Sequence, residues 1–194
     1  RDTTFLRAMG SMVVVAIIGL LVGVLMPALR SARATAKRTA CAANLHQIGT
    51  AMQQYLGRNR DRFPYASLMP SVSPAPLDRE RPIYLANVLL DDLNGGREVF
   101  HCPEDLPGAS RPAPNAGLSY FETEKSSYEY RFPPPLGGRT IDDLVNIFQN
   151  RAGRTVPPNE IYILRDYNNF HAAGGTPGAR RYLYVDGHVS DYEN

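Results

Sequence analysis

Ala8-Met-Gly-Ser-Met-Val-Val-Val-Ala-Ile-Ile-Gly-Leu-Leu-Val-Gly-Val-Leu-Met-Pro-Ala-Leu29 is a run of twenty-two residues without a charged side chain, and it passes directly into helix-favouring sequence at Arg30. At about 1.5 Å of rise per residue it makes a helix of roughly 33 Å, enough for the hydrocarbon core of a bilayer. A secretory signal has a shorter apolar region followed by a small-residue cleavage site. Here Pro27-Ala28-Leu29 leads instead into Arg30, Ala32, Arg33, Ala36, Lys37 and Ala40. Beginning at Arg1 without an initiator Met, the chain reads as one whose leader has been removed, or as a fragment.

Within the apolar run, Gly19 and Gly23 form a small-xxx-small pair that lets helix backbones approach closely. Pro27 removes one backbone donor and crowds the preceding turn, which predicts a kink or partial unwinding between Gly23 and Pro27. Flanking charge does not orient the segment. Arg1 and Arg7 precede it, while Arg30, Arg33, Lys37 and Arg38 follow it. Taken literally the positive-inside rule retains the large domain in the cytoplasm, but that rule is weak for long translocated domains.

Beyond the run, Cys41, Leu45, Ile48, Met52, Tyr55 and Leu56 recur at helical spacing and form one apolar face. Arg38, Asn44, Gln47, Gln53 and Gln54 occupy much of the remainder, and Gly57 followed by Arg58-Asn59-Arg60-Asp61 marks the end. The result is one helix of about fifty residues, far beyond the globular average of about a dozen. Three regions follow: an apolar stem over 1–29, its amphipathic continuation over 30–57, and a head over 58–194.

The head carries most of the chain's 16 Pro and 16 Gly, concentrated in Pro64–Pro82, Pro103–Gly117, Pro133–Gly138 and Gly174–Gly178, which predicts long irregular connections. Ile83, Leu85, Val88, Leu89 and Leu93 suggest a short helix ending at Asn94-Gly95-Gly96. Thr140 with Asp143 reads as an N-terminal cap for a helix whose apolar face is Ile141, Leu144, Val145 and Phe148. Strands are expected at Ser126–Arg131, Ile161–Arg165, Arg181–Val185 and Val189–Tyr192, with Asp186-Gly187 as a tight hairpin turn. The fold class is α+β, with a very long N-terminal helix packed through its C-terminal half on a small antiparallel sheet.

A net charge of +2 is too small to argue for nucleic acid, so none is expected as a partner. His46, His101, His171 and His188 are scattered, and His101-Cys102 has no second ligand pair at zinc-like spacing. Asp166, Asn168 and Asn169 suggest a calcium-binding loop as a minor alternative, without the dense oxygen run of an EF-hand. No Gly-x-Ser-x-Gly, phosphate loop or dinucleotide fingerprint is present. The expectation is a non-enzyme with no catalytic residue, metal site or cofactor. Cys41 and Cys102 are either two buried free thiols or a bridge closing a loop of about sixty residues, which chain entropy credits with about 4 kcal/mol.

Several of these segments together carry a resemblance. Met12 through Leu29, Arg30-Ser-Ala-Arg33, Cys41-Ala-Ala-Asn-Leu-His-Gln-Ile-Gly49 and Tyr55 to Phe63-Pro64 resemble type IV pilins and type II secretion pseudopilins. Val99-Phe-His-Cys-Pro-Glu-Asp105 and Tyr182-Leu-Tyr-Val-Asp-Gly-His-Val189 are similar to segments of a large bacterial subset with a DG-type C-terminus. The resemblance favours the Cys41–Cys102 bridge, because both cysteines lie in shared patches. It also implies a stem that loosens between Gly19 and Pro27 on polymerisation, with Gly19, Gly23 and Pro27 in the filament core.

Its further implications are a structural role and a helical homopolymer of identical subunits. The stem would sit in the cytoplasmic membrane with the head outside, then pass into an extracellular filament or a periplasmic pseudopilus. A separate assembly ATPase and platform proteins would act on it. One position departs from the pattern: the family's acidic residue ahead of the apolar segment falls on Gly10. A terminal-amine partner must then come from Asp2, or assembly must proceed without one. The contrasting reading is a monomeric, stem-anchored periplasmic binding protein or enzyme.

Overall fold

The computed structural model describes residues 2–68, 71, 82–94, 96–108, 115–131 and 136–191, with the side chains of the first helix described from Val14 onward. Much of the Pro/Gly-rich sequence in Pro64–Pro82, Pro103–Gly117 and Pro133–Gly138, together with Tyr192, lies outside them. By its internal contacts the chain divides into two compact units, 1–37 and 38–194.

Helix α1 runs from Asp2 to Arg58, 57 residues with Pro27 inside it. All residues from Gly19 to Leu29 are helical, so the unwinding expected at Gly23–Pro27 is absent from this structure. The physical reason lies in the spacing. A proline ring crowds the carbonyl four residues earlier, and that carbonyl belongs to Gly23. Gly23 brings no side chain to that crowded turn.

In the first unit the apolar side chains of α1 from Val14 to Leu29 are 46–71% exposed. Among the described residues, this is the one helix long and apolar enough to cross a membrane. In the second unit the same helix changes character. Cys41, Leu45, Ile48, Met52 and Leu56 are buried and form one edge of the main core, with Tyr55 packed beside them.

The head supplies the other walls. Helix α2 covers Leu85–Val88, shorter than the expected segment because turns carry the chain on from Leu89 to Asn94. A single 3₁₀ turn, Arg97–Phe100, precedes α3 at Tyr120–Glu124, and sequence periodicity marked neither. Strand β1 is Tyr128–Tyr130, α4 is Ile141–Ala152, and β2 is Tyr162–Asp166. Strands β3, Tyr182–Tyr184, and β4, Val189–Ser190, complete a four-stranded antiparallel sheet in the order β1-β2-β3-β4.

Local chemistry explains the ends of these elements. Thr140 and Asp143 form a reciprocal capping box on α4, and Gly153 closes that helix at φ 65°. Between β3 and β4, Gly187 takes φ 89° and its N–H donates to the Tyr184 carbonyl, closing the hairpin at Asp186-Gly187.

The contact between α1 and the sheet is tight at Gly49. A Cβ placed on Gly49 would lie 2.9 Å from Leu183 Cδ1 of β3. Nearby, Gln53 Nε2 donates to the Val185 carbonyl at 3.0 Å, and Asn44 Nδ2 donates to the His101 carbonyl at 2.8 Å. Replacing Gly49 with Leu should therefore lower stability by about 1–3 kcal/mol through overpacking. Gly57→Leu, on the same helix but facing open space, should leave it unchanged or slightly raised. Thermal unfolding of the full chain in detergent, followed by circular dichroism, compares the two.

Candidate functional site

The residues singled out in the sequence fall into two places. Gly19 and Gly23 both face open space, where an added Cβ would meet no atom within 4 Å. Pro27 sits on the same exposed stretch of α1. No packing among the described residues needs these glycines, although each costs a helix about 1 kcal/mol relative to alanine.

The second place is inside the head. Cys41 and Cys102 are joined by a disulfide, with Cα atoms 5.0 Å apart and both residues fully buried. The bond ties α1 to the segment that follows the 3₁₀ turn. That segment holds three anchors within four residues. Cys102 bonds to α1, Glu104 reaches His171, and Asp105 serves α3.

Asp105 is buried, accepting from the Tyr120 N–H at 3.0 Å and from the Phe121 N–H at 2.8 Å. Its Oδ2 also accepts from Ser127 Oγ at 2.7 Å, and that hydroxyl accepts from the Cys102 N–H at 3.0 Å. A carboxylate at a helix N-terminus offsets both orphan donors and the partial positive charge there.

Around the disulfide lies a polar cluster. The imidazole of His171 is fully buried, with Nδ1 2.7 Å from Glu104 Oε2 and Nε2 3.1 Å from Asp166 Oδ2. Nε2 is also 3.9 Å from Cys102 Sγ. Asp166 Oδ2 accepts from the Arg181 N–H at 2.7 Å, whereas Asp166 Oδ1 is buried without a hydrogen-bond partner among the described residues. Arg38 of α1 donates to the His171 carbonyl, tying the helix to the same loop.

Burial opposes a charged imidazole, yet the bonds to Asp166 and then Glu104 outweigh it and hold His171 above the ordinary histidine value. For Asp166 burial dominates, raising it above the usual carboxylate range against the His171 bonds that lower it. Both directions favour retention of a proton between the two groups.

The scatter of histidines along the chain is thus corrected in part by the fold. His171 meets Cys102 across sixty-nine positions, a meeting that no local spacing encodes. Of the others, His46 is exposed, His101 stacks on Phe121, and His188 stacks on Tyr184 and bonds Asp186. The Asp166, Asn168 and Asn169 side chains have separate employment. Asp166 bonds His171, Asn168 Oδ1 accepts the Asn169 N–H, and Asn169 Oδ1 accepts from Arg180. An open depression beside them is lined by Arg165, Thr176, Arg180 and Asp191, among others, and mixes both signs of charge. Arg165 is already paired with Glu129 at 2.7 Å.

Removing the imidazole leaves the buried Asp166 carboxylate and the part-buried Glu104 carboxylate without their shared partner, so His171→Ala should cost roughly 3–5 kcal/mol. His188→Ala, at a half-exposed hairpin, should stay within about 0.5 kcal/mol. Chemical unfolding monitored by tyrosine fluorescence measures both. Comparison of the chain with family models, with curated protein sequences and with solved structures returned no match.

Proposed function

We propose that this chain is the structural subunit of a helical filament of the type IV pilus or type II secretion kind, assembled from the membrane by packing its stems together. One observation carries the reading. The apolar side chains from Val14 to Leu29 are exposed on the same helix that, from Cys41 to Leu56, builds the core of the head. A simple anchor needs the first property and has no use for the second. A stem that must hold its head in fixed register within a polymer needs both.

Gly19 and Gly23 fit this role because their bare faces admit a neighbouring backbone, and an added Cβ at either meets no atom of the described residues within 4 Å. The Gly23–Pro27 pair is the least well-bonded point of α1, since Pro27 offers no donor to the Gly23 carbonyl. Under this reading it yields first when lipid is exchanged for sister helices. Heterologous contacts that do not close generate an open helical polymer. The chain would contribute no motor. An ATPase and platform proteins elsewhere would drive insertion and extraction, and the family's acidic position is here Gly10, whose role passes to Asp2 or is dispensed with.

Electron microscopy of sheared surface material and of detergent extracts tests the proposal, with filaments as the expected result. Exclusively monomeric particles under all conditions would favour a membrane-anchored periplasmic binding protein or enzyme instead. Val22→Asp places a charge within the proposed stem bundle, at a cost of several kcal/mol per subunit contact. It should abolish polymerisation while the head keeps its native thermal transition. Unaltered filaments from that variant would overturn the reading.

A further inference from the structure

We infer that the disulfide site becomes a thiolate–imidazole metal site when the bond is reduced, with Cys41, Cys102 and His171 as ligands for a zinc-class divalent cation. Ligand atoms of these three buried residues lie within 4.8 Å of one another. Tetrahedral zinc, with Zn–S of about 2.3 Å and Zn–N of about 2.0–2.1 Å, sets sulfur and nitrogen about 3.5 Å apart. The observed Cys102 Sγ to His171 Nε2 distance is 3.9 Å. That pair needs only a small adjustment, while the two sulfurs, once released from their bond, must separate to about 3.8 Å.

The surroundings carry the inference beyond proximity. A metal-bound imidazole characteristically gives its other ring N–H to a carboxylate, which fixes ring orientation and tautomer. Glu104 holds Nδ1 at 2.7 Å, leaving Nε2 as the nitrogen that faces the sulfur. Asp166 borders this set of ligands. Its carboxylate already touches Nε2 at 3.1 Å, and its fully buried Oδ1 has no partner among the described residues. Two thiolates and an imidazole form a donor set suited to zinc rather than to calcium or magnesium, with the fourth position open to a carboxylate oxygen or water.

The two states exclude each other, because the disulfide consumes both sulfur donors. A dithiol reductant supplies two electrons and two protons, cleaving the S–S bond to two thiols and leaving as its own cyclic disulfide. The incoming cation then displaces both thiol protons, and the proton held between Nε2 and Asp166, to solvent. Glu104 keeps the Nδ1 proton. In reducing surroundings the metal would replace the covalent link between α1 and the Cys102 segment, so the helix stays attached to its head in either redox state. This inference stands independently of filament formation.

The test uses the full chain in detergent, reduced with a dithiol that is then removed anaerobically, and titrated with Co²⁺ as the spectroscopic probe. One Co²⁺ per chain should bind, with thiolate-to-cobalt charge transfer in the near ultraviolet and intense tetrahedral bands in the visible, both bleached by Zn²⁺. The oxidised chain should show neither. Glu104→Gln, which retains every ligand, should weaken binding about 10–100-fold, and His171→Ala should weaken it at least as much. Zn²⁺ should also raise the thermal transition of the reduced wild-type chain.

Absence of thiolate–cobalt absorption in the reduced chain would overturn the inference. So would unchanged affinity in His171→Ala. Equal affinity of the reduced chain in denaturant would do the same, since it would assign the signal to two cysteines on an unfolded chain.

Discussion

Burial of the Cys41–Leu56 face of α1 against the sheet and its flanking segments is the contact on which the head depends. The four strands are two to five residues long, too short for a sheet to form a stable layer alone. The helix provides the facing layer. Leu45, Ile48 and Met52 are fully buried, and Gly49 lets the backbone come close enough for Leu183 to pack on it. Polar ties from Gln53 to Val185 and from Asn44 to His101 set the register of that contact. The disulfide at Cys41 fixes it near its N-terminal end.

The segment from Cys102 to Asp105 turns this packing into a network. Three successive functional side chains go to three different parts of the head: α1, the loop carrying His171, and the start of α3. Such a concentration of buried charge brings little net stability by itself, because desolvation offsets most of the Coulomb attraction. Its effect is directional. Glu104 and Asp166 accept an imidazole in only one orientation, and the Arg38 bond to the His171 carbonyl draws the loop towards the helix. A loop rich in glycine, from Gly174 to Gly178, would otherwise have few constraints on its conformation.

Along α1 the same backbone geometry serves two environments. Residues before Leu29 expose apolar side chains, and residues after Cys41 bury them. The change requires no break in the helix, only a change in which positions are apolar. From Val14 the apolar residues surround the helix, while beyond Cys41 they narrow to one stripe with Gln and Asn beside it. An all-round apolar surface suits lipid or other helices, and a stripe suits the side of a domain.

The sequence by itself determined what depends on periodicity and local chemistry. Helix α1 ends at Arg58, beside the Gly57 stop, and its buried stripe is the one that the spacing of Cys41, Leu45, Ile48 and Met52 marks. The α4 cap and the Asp186-Gly187 turn belong to the same class, since each is a contact between residues a few positions apart. Helix α1 continues through Pro27, an outcome that the identity of a helix breaker does not reveal. Only the tertiary structure brought Glu104, Asp166 and His171 to the disulfide, and only it gave Gly49 its purpose. Apart from the Asp166–His171 pair, these contacts join residues separated by tens of positions, across loops whose sequence has no period. Their geometry is set by how the helix, sheet and loops pack together.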